Sequence, residues 1–251
     1  MDPTTEMKLL RKKLFDLIIP STTGLQLSRV YRFMHAQGLP ITPWIAVSAA
    51  DRARFTAACY DTGLISPNVL DVELDGISLY ILQFSILFRD TDGEKYVGNQ
   101  YGEIVLVHEL VHGSGSRPED LTRRRNGQII QSRLGLIKDG KGHFLEESFA
   151  RHIDLLYTHD VLGLYLKGET GPLAYDGLKH LIHRDPRLLP ALKRAHLGGD
   201  TNEVSRLIDA IGGTGLYDLL YNLGPDENSV LKGIAAIRES LPPKGRRIFA
   251  I

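Results

Sequence analysis

The stretch Tyr101-Gly102-Glu103-Ile104-Val105-Leu106-Val107-His108-Glu109-Leu110-Val111-His112, followed by Gly113-Ser114-Gly115-Ser116-Arg117-Pro118, decides how this chain is read. Its apolar residues leave few positions for solvent, which predicts a largely buried helix, and the Gly-Ser-Gly-Ser-Arg-Pro run supplies helix-ending chemistry. An α-helix advances about 100° per residue, so His108 and His112 stand about 40° apart, one turn above the other, and can direct two imidazoles at one point. Leu106, Val107, Leu110 and Val111 take the other side and anchor the helix in a core, while Glu109 points elsewhere around it.

Two stacked imidazoles on a buried helix need several buried polar partners or a metal ion. Zinc accepts neutral imidazole nitrogen and carboxylate oxygen in tetrahedral geometry, and catalytic sites use three protein ligands with the fourth position left to water. Zinc lowers the pKa of that water from about 15.7 to about 7, and a carboxylate one hydrogen bond away completes its activation. His108 and His112 therefore offer two ligands, and Glu109 a base. With 9 His and 12 Glu in 251 residues, a shuffled chain carries the pattern in about one or two cases per hundred, so context decides.

Toward the N-terminus, apolar residues at helical spacing predict helices over 6–19 and 28–37, and a third over 49–60. Residues 42–47 and 69–88 are rich in β-formers and predict strands, ending at the turn Asp90-Thr91-Asp92-Gly93. Beyond the motif, Arg123-Arg124-Arg125 before Asn126-Gly127 reads as a solvated face entering a turn. A strand is expected over 129–137 and a second long helix over 144–157, bearing the acidic pair Glu146-Glu147. The rest reads as helices over 173–183, 186–196, 201–211, 215–222 and 228–241. The fold class expected is α+β: a small mixed or antiparallel sheet with the motif helix in the N-terminal half (1–113), and a mainly helical C-terminal subdomain (114–251), together one compact unit.

These residues resemble the gluzincin metallopeptidases, in which the HExxH helix is followed by a glutamate ligand on the next long helix. Phe144-Leu145-Glu146-Glu147-Ser148-Phe149-Ala150-Arg151-His152 is similar to the family pattern W-L-x-E-G-x-A-x-Y, with matches at Leu145, Glu147 and Ala150, aromatic-type residues at Phe144 and His152, and Ser148 where Gly is usual. The resemblance implies a zincin-like fold, Zn²⁺ as cofactor, a peptide or protein substrate, and Glu147 as third ligand, 147 − 112 = 35 residues past the second histidine. Amphipathicity favours Glu146 instead, because Leu145, Phe149, Ile153 and Leu156 define an apolar face that Glu147 lies nearly opposite. A weaker similarity around Ala174-Tyr175-Asp176-Gly177 makes Tyr175 the candidate donor to the transition-state oxyanion, with His143, His152, Tyr157, His180 and His183 as competitors. The Gly-x-Met-Glu-Asn motif of zinc aminopeptidases is absent, and so is the third histidine of metzincins.

Composition fits a folded protein without a global field toward nucleic acid or membrane. Lys plus Arg and Asp plus Glu are both 30, giving a formal net charge of zero that disfavours nucleic acid and anionic membranes, and 43% hydrophobic residues is ample for a core. Cys59 is expected in a core, no segment approaches the length of an apolar membrane span, and Met1-Asp2-Pro3-Thr4 opens without a secretory signal, so the expected location is cytoplasmic. The leading expectation is a metallopeptidase in which Glu109 and Tyr175 are catalytic and His108, His112 and Glu147 hold zinc; the alternative is a zinc-containing scaffold without catalysis.

Overall fold

The computed structural model describes residues 27–41, 44–48, 85–89, 100–115, 117–123, 129–164, 176–224 and 226–241. The helices expected over 6–19 and 49–60, Cys59, most of the strand region 69–88, Arg124, Arg125 and Tyr175 lie outside the described residues.

In chain order the elements are α1 (Leu27–Ala36), β1 (Trp44–Ser48), β2 (Ser85–Arg89), α2 (Gln100–Ser114), a 3₁₀ turn (Pro118–Asp120), β3 (Leu121–Arg123), β4 (Ile129–Gln131), β5 (Arg133–Leu134) and β6 (Ile137–Lys138), then α3 (His143–Leu156), which runs into a π-turn (Tyr157–Val161). Five helices follow: α4 (Asp176–Arg184), α5 (Leu188–Gly198), α6 (Asn202–Gly212), α7 (Leu216–Tyr221) and α8 (Glu227–Ser240). The described residues are α+β and mostly helical. Its described strands pair two by two, β1 with β2 in parallel, β3 with β4 and β5 with β6 antiparallel.

The strand expected over 129–137 is broken. Ser132 turns its N–H to the Asp120 carbonyl (2.9 Å), and Gly135 adopts a left-handed φ of 52° that reverses the chain into β6. Glycine is required there for space as well, because a Cβ would stand 2.3 Å from Glu146 Oε2.

Helix α2 is apolar on nearly every side, and Ile104, Leu106, Val107, Leu110 and Val111 are all buried, as befits a helix inside a core. It packs against α1, β2 and α3, while α3 packs in turn against α4, α7 and α8. A single cluster of buried side chains runs from Val30 in α1 to Ile237 in α8, so the described parts of 1–113 and 114–251 share one core. Each fully buried aliphatic or aromatic side chain contributes about 1.5–3 kcal/mol to that assembly. In α8 the Asp226 carboxylate accepts from Ser229 N (3.0 Å), satisfying one of the amides left open at a helix start. Among the described residues no helix is long and apolar enough to cross a membrane.

Candidate metal centre

Helices α2 and α3 pack so that the turn His108–His112 faces the first two turns of α3. His108, His112 and Glu147 form a group that could hold a metal ion, one ligand atom from each lying within 4.8 Å of the others. The two Nε2 atoms are 3.2 Å apart. Glu147 offers Oε2 to His108 Nε2 at 3.5 Å and Oε1 to His112 Nε2 at 3.3 Å. A tetrahedral ion with bonds of about 2.0–2.1 Å has ligand-to-ligand edges of about 3.3–3.4 Å, so the donor atoms present fit such an ion in spacing and in chemistry.

The far nitrogens of both histidines are held by carboxylates, again from α3. His108 Nδ1 pairs with Asp154 Oδ2 at 3.0 Å, and His112 Nδ1 with Glu146 Oε1 at 3.0 Å. A carboxylate accepts, so each Nδ1 carries a hydrogen, and Nε2 is the atom that each ring turns to the site, a ligand once it gives up its proton. Asp154 is steadied by Arg151 Nη1, one turn before it, at 3.1 and 3.2 Å. Glu146 is fully buried and also accepts from Leu136 N (2.9 Å) and His196 Nδ1 (3.0 Å).

Glu146 and Glu147 thus divide the alternatives that helix periodicity left open. Glu146 is indeed the buried one, but it stands behind His112; Glu147, with 31% of its side chain exposed, stands in front of both imidazoles. His108 keeps 21% exposure and His112 only 2%, so the cluster opens to solvent on the His108–Glu147 side and is closed behind.

The electrostatics follow from these partners. Burial opposes charge on His108, but hydrogen bonds to Asp154 and Glu147 outweigh it and raise its pKa to about 9. His112 is raised well above the ordinary histidine value, burial again losing to the field and hydrogen bonds of Glu147 and Glu146. Despite their burial, Glu147 is held well below the carboxylate range by His112 and His108, and Glu146 is lowered to about 2 by His196 and His112. Carboxylates this strongly committed to the anionic form, around two inward-facing imidazole nitrogens, make a field that favours a cation between them.

Glu109 is buried in α2 between the two histidines of the turn, 5% exposed. Of the oxyanion-donor candidates, Tyr175 lies outside the described residues. Tyr157 is buried and donates its hydroxyl to Glu103, which also receives Arg29 Nε and Nη2 at 2.6 and 2.8 Å. His152 is buried, and burial together with the charges of Lys179 and Lys193 lowers its pKa to about 4. His180 and His183 are exposed on α4. His143 stands one turn before Glu147 on α3; burial lowers its pKa, against the opposing fields of Glu147 and Glu146, which leaves a neutral ring on the acidic side of the cluster.

Sequence reasoning missed Asp154, Arg151, His196 and Ser114. Asp154 had a signal: it lies seven residues, two helical turns, beyond Glu147 and so on the same face of α3. Comparison with protein-family models, with curated proteins and with solved structures finds no match for this chain.

Proposed function

We propose that this chain is a zinc-dependent metallopeptidase of gluzincin type, with a zincin-like fold in which 1–113 and 114–251 act as one catalytic unit. The observation that carries the reading is the triangle of His108 Nε2, His112 Nε2 and Glu147 carboxylate with 3.2–3.5 Å edges, open to solvent on one side and backed by a carboxylate on each imidazole. Two imidazoles and one carboxylate with an open fourth position is the donor set of catalytic zinc. Bound there, zinc would supply Lewis acidity toward a carbonyl oxygen and toward water.

The chain's own residues do the rest. Glu109, carried on the helix turn that bears both histidines, accepts the proton of the attacking water and returns it to the leaving amine nitrogen, the role of a general base and then a general acid. With zinc bound, Asp154 and Glu146 would hold the Nδ1 hydrogens of His108 and His112, so that each Nε2, once it has released its proton, is the atom turned to the metal. The substrate is a peptide, laid extended along the edge of the N-terminal strands, where main-chain hydrogen bonds orient the scissile bond. Tyr175 is the proposed donor to the developing oxyanion, with His143 as the competitor placed beside Glu147.

Elemental analysis of the purified chain, with a peptide-library cleavage assay on the wild type and Glu109→Gln, tests the reading. Expected are about one zinc per chain in both proteins and hydrolysis only in the wild type, E109Q losing at least 10²–10⁴-fold. Zinc retained by a wild type that cleaves no peptide would leave a metal-holding scaffold instead, and normal hydrolysis by E109Q would remove Glu109 from the mechanism.

A further inference from the structure

Behind the candidate centre another buried histidine, His196, reaches in from α5. It is fully buried, and both ring nitrogens are engaged. Nδ1 meets Glu146 Oε2 at 3.0 Å, while Nε2 meets the Val111 carbonyl at 3.0 Å and Ser114 Oγ at 2.9 Å. Ser114 gives its own hydrogen to the Val111 carbonyl (2.7 Å), which leaves its oxygen free to accept from His196. A carboxylate accepts, so the Nδ1–H of His196 donates to Glu146.

The surroundings give His196 no slack. Arg133 Nη1 donates to the backbone carbonyls of His196 (3.0 Å) and Gly135 (2.9 Å), and Arg133 is itself paired with Asp120 at 2.8 Å. The Phe149 ring lies 5.0 Å from the imidazole. Gly115 and Gly135 are the walls: a Cβ on Gly115 would come within 2.7 Å of His196 Cε1, and one on Gly135 within 2.5 Å of Nδ1.

We propose that His196 is a positioning residue for the metal centre, acting through Glu146: by donating to Oε2 and bridging to the end of the motif helix, it fixes the carboxylate whose Oε1 holds the Nδ1 hydrogen of His112. The chain His196–Glu146–His112 spans α5, α3 and α2, so the helical C-terminal part sets the orientation of a ligand carried by α2. This rests on the metal-centre reading above only for its consequence in metal affinity; the orientation of His112 is a property of the metal-free chain.

The test uses the full chain. Zn²⁺ is titrated against a chelating dye into wild type, His196→Phe, Glu146→Gln and the double variant, with circular dichroism as the check on folding. Expected is a 10–100-fold loss of Zn²⁺ affinity in H196F, the range for a lost outer partner of a metal-ligating histidine, and no further loss in the double variant beyond that of E146Q. Affinity unchanged in H196F, or losses that multiply in the double variant, overturn the proposal. In parallel, ring N–H resonances of the metal-free protein are followed by ¹⁵N-histidine NMR. A His112 Nδ1–H protected from exchange in wild type and exposed in H196F supports the relay; equal protection in both overturns it. A wild type that takes up no Zn²⁺ yet shows the protected His112 proton defeats the metal reading alone. If H196F does not fold, the wild-type spectrum decides: a protected, hydrogen-bonded Nδ1–H on His196 supports the proposal, and a solvent-exchanging one ends it.

Discussion

Asp154 and Glu146 do the same work from opposite ends of one helix, each taking the Nδ1 hydrogen of a histidine whose other nitrogen faces Glu147. Replacing Asp154 by Asn keeps the shape but removes the charge that favours a donating imidazole, and leaves Arg151 without its anion. D154N should therefore bind Zn²⁺ about 10–100-fold more weakly while retaining the native circular-dichroism spectrum; a chelator competition showing unchanged affinity would mean Asp154 is a structural anion only. At this scale much of the site was legible. His108 and His112 form a local i,i+4 pair, visible wherever a helix is visible. The choice between Glu146 and Glu147 was not legible from periodicity, because periodicity reports which residue is buried and not what it meets; Glu146 is buried against His196, which comes from 50 residues further along the chain.

Among the elements, the π-turn Tyr157–Val161 has the clearest consequence. Its i→i+5 bond, Leu162 N to Tyr157 O at 3.2 Å, widens the end of α3, and Tyr157 there donates to Glu103 at the start of the motif helix while Arg29 from α1 does the same. Three elements are thereby tied at one buried carboxylate, 2% exposed. Tyr157→Phe removes one hydrogen bond to the charged Glu103 carboxylate while Arg29 stays on it, an effect worth about 1.5–3 kcal/mol. Urea unfolding should show a lower midpoint at unchanged slope, and a midpoint within error of wild type would mean that solvent reaches Glu103. The amphipathic helices were legible because apolar residues recur with a 3.6 period, and the motif helix because its apolar run stops at Gly-Ser-Gly-Ser-Arg-Pro. The π-turn was not, since one wider turn leaves that pattern intact. Nor was the break in the strand expected over 129–137, because Gly135 bends where Glu146 and His196 press on it, and those residues arrive from other helices.

For the whole molecule, protons and metal compete for the same nitrogens. In the metal-free fold His108 has a pKa of about 9, against about 6.5 in an unfolded chain. A group raised on folding contributes stability that is fully present below its unfolded value and is lost as pH rises through the folded one. The His108 contribution, up to about 3 kcal/mol before solvent screening at this partly exposed ring, is thus present below about pH 6.5 and gone above about pH 9; His112 shifts in the same direction. Zinc binding runs the other way, since each ligand nitrogen must first release its proton. Stability of the metal-free chain should therefore decline from pH 6.5 to 9, while the rise in Tm on adding a fixed excess of Zn²⁺ grows over the same interval. The acid side has a separate origin. Glu146, lowered to about 2 in the fold, contributes stability above the ordinary carboxylate value that fades as pH falls toward 2, a limb on which zinc, already displaced by protons, has no hold. The measurement is a pair of thermal-denaturation series, with and without Zn²⁺, across pH 5 to 9.5, repeated on His108→Asn. In H108N the alkaline decline of the metal-free protein should flatten and the zinc-dependent gain collapse. A wild-type gain from Zn²⁺ that is flat with pH would mean that the ion binds somewhere other than on His108 and His112.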